Sequence, residues 1–352
     1  MALRFLLSRL AGLLILTLLL TVITATLAGR TLRPNLLAVE SDFRIYIVDA
    51  DRQLVADVTP LVPVSADERD PQFAPGDIHE ALYGYPVWSP DGRLLAFHKW
   101  YVGSDVGDIM VMDPFTGAFT RYNAVANYRD MLSWSPDGEQ LAYIFMDSPD
   151  PKERYNVAIL NLDGGAHQPI TRIGNVVNPM WSPGGEHIAY RTLGRVSVVR
   201  AEMRLHHRGQ PLTESGGHQS VMWSPDGRRL SLLSYSGSHD SNFSSTVTLI
   251  EPGQQTATLH CDDLNPELFA VWSPGWTHLA THTGRRGLTV IDMQQCAVRY
   301  TNNYSSGVPP VWLTEQRVVF TSAHRLLHAN LRTGHVNDLP MPGVVNHVAH
   351  RR

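Results

Sequence analysis

Two residue types are almost missing from this chain. Lys99 and Lys152 are its only lysines, and Cys261 and Cys296 its only cysteines, among 352 residues. No run of five or more like charges occurs, and the formal net charge is −4. A nucleic-acid surface needs a basic stripe to neutralise phosphates, so nucleic acid is not expected as a partner. No G-x-S-x-G elbow and no H-E-x-x-H helix motif is present, which removes the usual signs of a serine hydrolase or a zinc peptidase. What the chain does have is apolar mass. Hydrophobic residues make up 43% of it, ample for a large core.

The first 30 residues differ from the rest. Arg4 and Arg9 precede a charge-free run from Leu10 to Gly29, and Arg30 ends it. At a rise of about 1.5 Å per residue, such a run spans the roughly 30 Å of a bilayer core. Residues 1–30 are therefore expected to form an amino-terminal signal-anchor or transmembrane helix, touching the membrane through residues 10–29. Thr26-Leu27-Ala28 also resembles a signal-peptidase site, so cleavage stays open. Either outcome exports the remainder, which is expected on the extracytoplasmic side of a cell membrane, periplasmic or extracellular.

A repeat organises the rest of the chain. Trp88 and Trp134 begin WSPDG, Trp181 WSPGG, Trp223 WSPDG and Trp272 WSPGW, while Trp312 begins the decayed copy WLTEQ. Their spacings are 46, 47, 42, 49 and 40 residues, a period typical of propellers and solenoids. In Ser-Pro-Asp-Gly, proline presets φ, aspartate can bond its own backbone, and glycine takes the left-handed conformation. Seven residues after each Trp stands an aliphatic residue: Leu95, Leu141, Ile188, Leu230, Leu279 and Val319. A strand thus ends at each Trp, turns and returns. An apolar run ending at a polar residue comes after each copy, for example Ile109–Met112 before Asp113 and Leu288–Ile291 before Asp292. Each unit reads as four antiparallel strands, here A to D from the centre outward, and such units bury their faces against one another in a β-propeller.

These repeats resemble the WSPDG-type, WD-repeat-like propeller repeats of the TolB-like family over residues 35–350. The resemblance implies an all-β propeller in which the six tryptophans are structural rather than catalytic. A seventh outer hairpin, Ile45–Val48, lies near the amino terminus, and Asn35-Leu36-Leu37-Ala38 matches Arg93-Leu94-Leu95-Ala96. The spare segment Val344 to Ala349 can supply the missing strand A, which gives seven blades. Six blades with a decorating strand is the alternative. Related propellers precede the catalytic domain of prolyl-oligopeptidase-type enzymes, but none is expected to follow here.

The loops entering strand A share one end of the channel with the B–C loops. They carry Tyr83, Tyr85, Arg129, Asp130, Asn178, His218, Gln219, Glu267 and Phe269, a mixture suited to recognition. The acidic B–C loop residues Asp105, Asp108, Asp147, Asp150 and Glu153 read as a solvated surface. The pairs His278/His282 and His324/His328 have the spacing of a helical metal site, but they fall in or beside strands, where four residues span about 13 Å. No metal site, cofactor or catalytic residue is expected. Cys261 and Cys296 are expected at opposite ends of the outer edge, too far apart for a disulfide.

The reading is a membrane-anchored extracytoplasmic propeller, a non-catalytic scaffold binding a protein partner or envelope component. Two alternatives stand beside it. One is a metal-dependent polysaccharide lyase like certain seven-bladed propellers, using His218 and Gln219 with His79 or His98. The other is a structural subunit of a membrane complex.

Overall fold

A computed structural model describes residues 35–59, 81–104, 106–127, 130–146, 154–192, 195–200, 210–212, 217–238, 241–251, 257–259, 267–283, 287–302, 308–323 and 325–351. Their strands form seven four-stranded antiparallel blades. Blade 1 is built from both ends of the chain. Val345–His350 is its strand A, followed outward by Leu36–Ser41, Arg44–Asp49 and Leu54–Asp57. The register places Leu37 opposite His350 and Val39 opposite Val348. Sequence and structure therefore agree on seven blades and on how the ring closes. Arg317 of blade 7 adds a bond across the seam, donating to Asp51 at 2.6 Å, and Asp51 in turn accepts from Asn35 at 2.7 Å.

The A–B turn is built alike from blade 2 to blade 6. In blade 3 the Ser135 N–H donates to the Gln140 carbonyl, the Gln140 N–H donates back to Ser135 Oγ, and the Gly138 N–H reaches the Ser135 carbonyl. Ser135 Oγ also donates to Asp137 at 2.5 Å. Ser89, Ser182, Ser224 and Ser273 head equivalent turns. The fourth turn position after Trp is left-handed each time: Gly92, Gly138, Gly185, Gly227 and, in WSPGW, Trp276 at φ 57°. Trp276 stacks on Trp272 with ring centroids 4.7 Å apart. Gly275 stands where three other copies carry Asp91, Asp137 and Asp226, and Glu315 of blade 7 replaces that carboxylate by accepting from the Gly275 N–H and from Thr277 Oγ1.

The tryptophans do pack between blades. Trp134, Trp223 and Trp312 donate their indole N–H to Val87, Met180 and Val271, each the residue before the previous blade's tryptophan. Trp272 donates instead to Ser231 Oγ at 2.7 Å. The turns interlock as well. A Cβ on Gly138, Gly185 or Gly227 would rest at contact distance on Pro90, Pro136 or Pro183 of the preceding blade. At Gly92 the preceding blade supplies Arg351, which lies over the Trp88 and Phe115 rings at 5.6 and 5.1 Å. The core divides accordingly into clusters between neighbouring blades. One holds Leu36, Ala38 and Ile45 of blade 1 with Trp88, Leu95 and Phe97 of blade 2.

Two features depart from the expected repeat. Strand A of blade 3 is only Ser133–Trp134. The end of strand D of blade 2 occupies the space above it, where Ala126 pairs with Phe145 and the Asn127 N–H donates to the Ile144 carbonyl. The cysteine expectation is also corrected, because Cys296 is disulfide-bonded, and no cysteine among the described residues is free. The chain's other cysteine, Cys261, lies outside the described residues. The expectation assumed a full-height strand D in blade 5. The described part of that strand, Ala257–Leu259, pairs with Val247–Leu249 near the C–D turn. Cys296 sits at that end of blade 6, at φ 48°, where other C–D turns use Gly117 or Gly334.

Ending the chain after Gly343 removes strand A of blade 1 and is expected to abolish cooperative thermal unfolding; a sharp transition near the full-length Tm would contradict the closure. Without reductant, iodoacetamide should add no mass to the unfolded chain, and after reduction it should add two adducts. Reduction is expected to cost about 2–4 kcal/mol in a urea titration.

Candidate recognition face at the channel mouth

The B–C turns and the connections into strand A share one face, opposite the Ser-Pro-Asp-Gly turns. At this loop face several inner strands break register: between Gly84 and Val87, Val177 and Met180, His218 and Ser220, and Glu267 and Ala270. In blades 2 and 4 the break holds a residue other than glycine in the left-handed region, Tyr85 at φ 55° and Asn178 at φ 53°. Each such residue costs about 1 kcal/mol or more unless the surroundings fix it.

A buried carboxylate from the preceding blade fixes each one. The Tyr85 N–H donates to Glu40 Oε2 at 3.0 Å, and Asn346 Nδ2 donates to Oε1 at 3.4 Å. Glu40 is 2% exposed, and burial raises its pKa. Gly84 is required beside it, because a Cβ there would stand 2.7 Å from Glu40 Oε2. The Asn178 N–H reaches both oxygens of Asp130, at 3.1 and 3.0 Å, and the Met131 N–H donates to Oδ1 at 2.8 Å. Burial pushes Asp130 up to about 6, opposed by these N–H donors and by the nearby positive charge of Arg191.

Two histidines flank Tyr85. His347 lies 5.6 Å from its ring and His98 6.4 Å, centroid to centroid. His98 Nε2 donates to the Asp130 carbonyl at 3.1 Å, which leaves Nδ1 as the acceptor nitrogen. Burial lowers both histidines to about 4, so both are neutral at pH 7.

The expected surface residues separate into three groups. Tyr85 and Asn178 are half-buried at the channel mouth. Tyr83 and Asp130 are not surface groups, and this corrects the expectation. Tyr83 is 4% exposed and packs edge-on to Phe97 between blades 1 and 2, while Asp130 is 5% exposed and bonds backbone. Arg129 lies outside the described residues, as do the side chains of His218, Gln219, Glu267 and Phe269. Glu40 and Arg191 are not among the expected residues, although the repeat holds a signal for them. Arg191 and His98 stand ten residues after Trp181 and Trp88, and Glu40 holds the same position in blade 1, whereas blades 3 and 5 carry Ile144 and Leu233 there.

The lyase alternative needs a metal. Among the described residues no group of three or more His, Cys, Asp or Glu could hold a metal ion. His79 and the side chains of His218 and Gln219 lie outside them. His328 accepts from Arg317 Nε at 3.0 Å, and His278 Nδ1 lies 2.8 Å from Thr277 Oγ1. His324 and the side chain of His282 lie outside the described residues. Asp108 is paired with Arg121 at 2.7 Å, whereas Asp105, Asp147, Asp150 and Glu153 lie outside the described residues. Among the described residues no helix is long and apolar enough to cross a membrane, and residues 10–29 lie outside them too.

The fold defines a seven-bladed β-propeller. No protein-family profile matches the chain. It is 31% identical to the uncharacterized peptidase YuxL of Bacillus subtilis (strain 168) over 108 residues, which is 29% of this chain but only 16% of that protein. Among solved structures, it is similar to the Cps50 (Swd1) β-propeller domain of Myceliophteria thermophila. That match has a TM-score of 0.58 and 13% identity, covering 78% of this chain and 93% of that one. It is similar too to an oligogalacturonate lyase in complex with manganese, with a TM-score of 0.56, 14% identity and 79% of each chain covered. At such identities both likenesses speak for the propeller fold alone.

The buried groups predict how stability depends on pH. An unfolded histidine takes up a proton below about 6.5. His98, His347 and His328, lowered by burial to about 4, resist that proton in the fold, so their contribution is lost as the pH drops from 6.5 toward 4. Asp130 and Glu40 act oppositely. Raised by burial, they bind protons more readily in the fold and add stability as the pH falls through their folded values. Three histidines outweigh two carboxyls between pH 6.5 and 5, so Tm is expected to fall over that window. His98→Asn should make the fall shallower; an unchanged or steeper slope in that variant would contradict the assignment.

Proposed function

We propose that this chain is a non-catalytic propeller, tethered by residues 10–29 to the outer side of a cell membrane. There it binds a protein partner or an envelope component through the loop face. The observation that carries this reading is the fixed presentation of Tyr85 and Asn178. Each is half-exposed at the channel mouth in a left-handed conformation, and each is held there by a buried carboxylate of the neighbouring blade. Side chains ordered before contact lose little freedom on binding, and aromatic groups of this kind anchor interfaces. The disulfide at Cys296 supports the exported location, because such bonds persist mainly in oxidising compartments.

The test is a mild-detergent purification of the full-length protein, with intact mass and metal content read on the same sample. A stoichiometric partner, full mass and no metal is the expected result. Tyr85→Ala should weaken recovery of that partner at least tenfold while Tm changes by only a few degrees. One tightly bound divalent metal, with no partner, would overturn the scaffold reading in favour of the lyase alternative. A mass lacking the first 28 residues would replace the tether with a cleaved signal.

A further inference from the structure

Blade 1 takes strands A and B from opposite ends of the chain, so no Ser-Pro-Asp-Gly turn joins them. The glycine that rests on the preceding blade's proline at Gly138, Gly185 and Gly227 therefore has no counterpart where blade 1 meets blade 7. The turn of blade 7, Thr314-Glu315-Gln316, has no proline to offer either. A polar chain crosses this seam on the turn face instead. Asn35 Nδ2 donates to Asp51 Oδ2 at 2.7 Å, Arg317 Nη2 donates to Asp51 Oδ1 at 2.6 Å, and Arg317 Nε donates to His328 Nε2 at 3.0 Å. Asp49 fixes the turn that carries Asp51, its Oδ1 accepting from the Asp51 and Arg52 N–H groups at 3.0 and 3.1 Å.

The last bond in this chain depends on charge. A guanidinium is always a donor, so His328 must accept through the lone pair of Nε2 and carry its proton on Nδ1. A second proton, placed on Nε2, removes that lone pair and sets two cations against each other at 3.0 Å. His328 is 7% exposed, so solvent screens them little.

His328 lies on strand C of blade 7 between Val319 and Asn337, and it faces blade 1 as Val319 and Leu326 do. Among the described residues, the charged groups that bear on it are Arg317 of strand B and Asp51 of the facing C–D turn. Strand D offers the neutral Asn337. The facing strands of blade 1 offer Tyr46, Val48 and Val55, and burial raises Tyr46 above its ordinary 10, so it stays neutral. Arg332 and His335, on the C–D turn of blade 7, are exposed to solvent. Burial and the Arg317 charge lower His328 from 6.5 to about 4, opposed by Asp51. An open seam returns it to its ordinary value, so the open form binds the proton more tightly. Each pH unit below 6.5, down to about 4, therefore multiplies opening by up to about tenfold.

We infer that Asn35, Asp51, Arg317 and His328 form an acid-released latch on the seam between blades 7 and 1: a proton on His328 Nε2 breaks the bond to Arg317 and lets the two blades part at the turn face while the other seams hold. The test is hydrogen–deuterium exchange of the full-length chain at pH 6.5 and pH 5, with protection corrected for the intrinsic exchange rate at each pH. The reporters are the outer strands at the seam, Leu54–Asp57 and Val336–Leu339, and the controls are Phe119–Ala126 of blade 2 and His167–Pro169 of blade 3.

Acid is expected to cost the seam strands at least about fivefold more protection than the controls. His328→Gln keeps an acceptor that takes no proton, so this excess should shrink at least about threefold, with protection at pH 6.5 unchanged. Asp51→Asn, on an exposed turn, weakens the link without acid. It should cut seam protection at least about threefold at pH 6.5 and leave the controls as they are. Seam and controls losing protection together, an undiminished excess in His328→Gln, or full seam protection at pH 6.5 in Asp51→Asn would each overturn the latch.

Discussion

The contact between neighbouring blades is the constraint on which the rest of the molecule depends. A single four-stranded sheet cannot bury both of its faces. Here neighbouring blades lend one another indole rings, prolines and rows of aliphatic side chains. The bond from Trp134 to the Val87 carbonyl, repeated from Trp223 to Met180 and from Trp312 to Val271, fixes the height of blades 3, 5 and 7 against the blades before them. Pro90 against Gly138, and its counterparts, fixes the spacing at the turn face. The loop face is then free to vary, because the blades are already registered from below.

Much of this architecture is legible in the residues. The Ser-Pro-Asp-Gly turn announces itself by chemistry, and the aliphatic residue seven places after each Trp locates strand B. Closure is readable because Leu36-Leu37-Ala38 repeats Leu94-Leu95-Ala96 without a tryptophan before it. Other features depend on partners distant in sequence. Nothing near Gly275 reveals that Glu315 replaces the missing aspartate, since the two meet only when blade 7 packs on blade 6. The disulfide at Cys296 is hidden because a strand's height in the sheet is set by its neighbours and not by spacing along the chain.

The channel mouth is only partly legible, for a related reason. Polar residues before strand A read as a surface, yet Tyr83 and Asp130 turn inward, and Glu40 comes from a strand that reads as core. Burying Glu40 and Asp130 costs desolvation, which is why both are shifted upward. In return each receives the N–H of a backbone that would otherwise be strained. The carboxylates thus belong to the framework, and the half-exposed Tyr85 and Asn178 are what they hold in place.

Closing the ring with Val345–His350 also orders events in time. Asp42 and Val344, bonded in the finished fold, lie 302 residues apart along the chain. During synthesis from the amino end, blades 2 to 7 can assemble in turn, but Leu36–Ser41 must wait for Val345–His350 to emerge. Until then it offers an unpaired inner edge, the kind of surface that invites mispairing with other chains. The first strand made is the last to be completed, so any factor that shields nascent chains has most to protect at the amino-terminal blade.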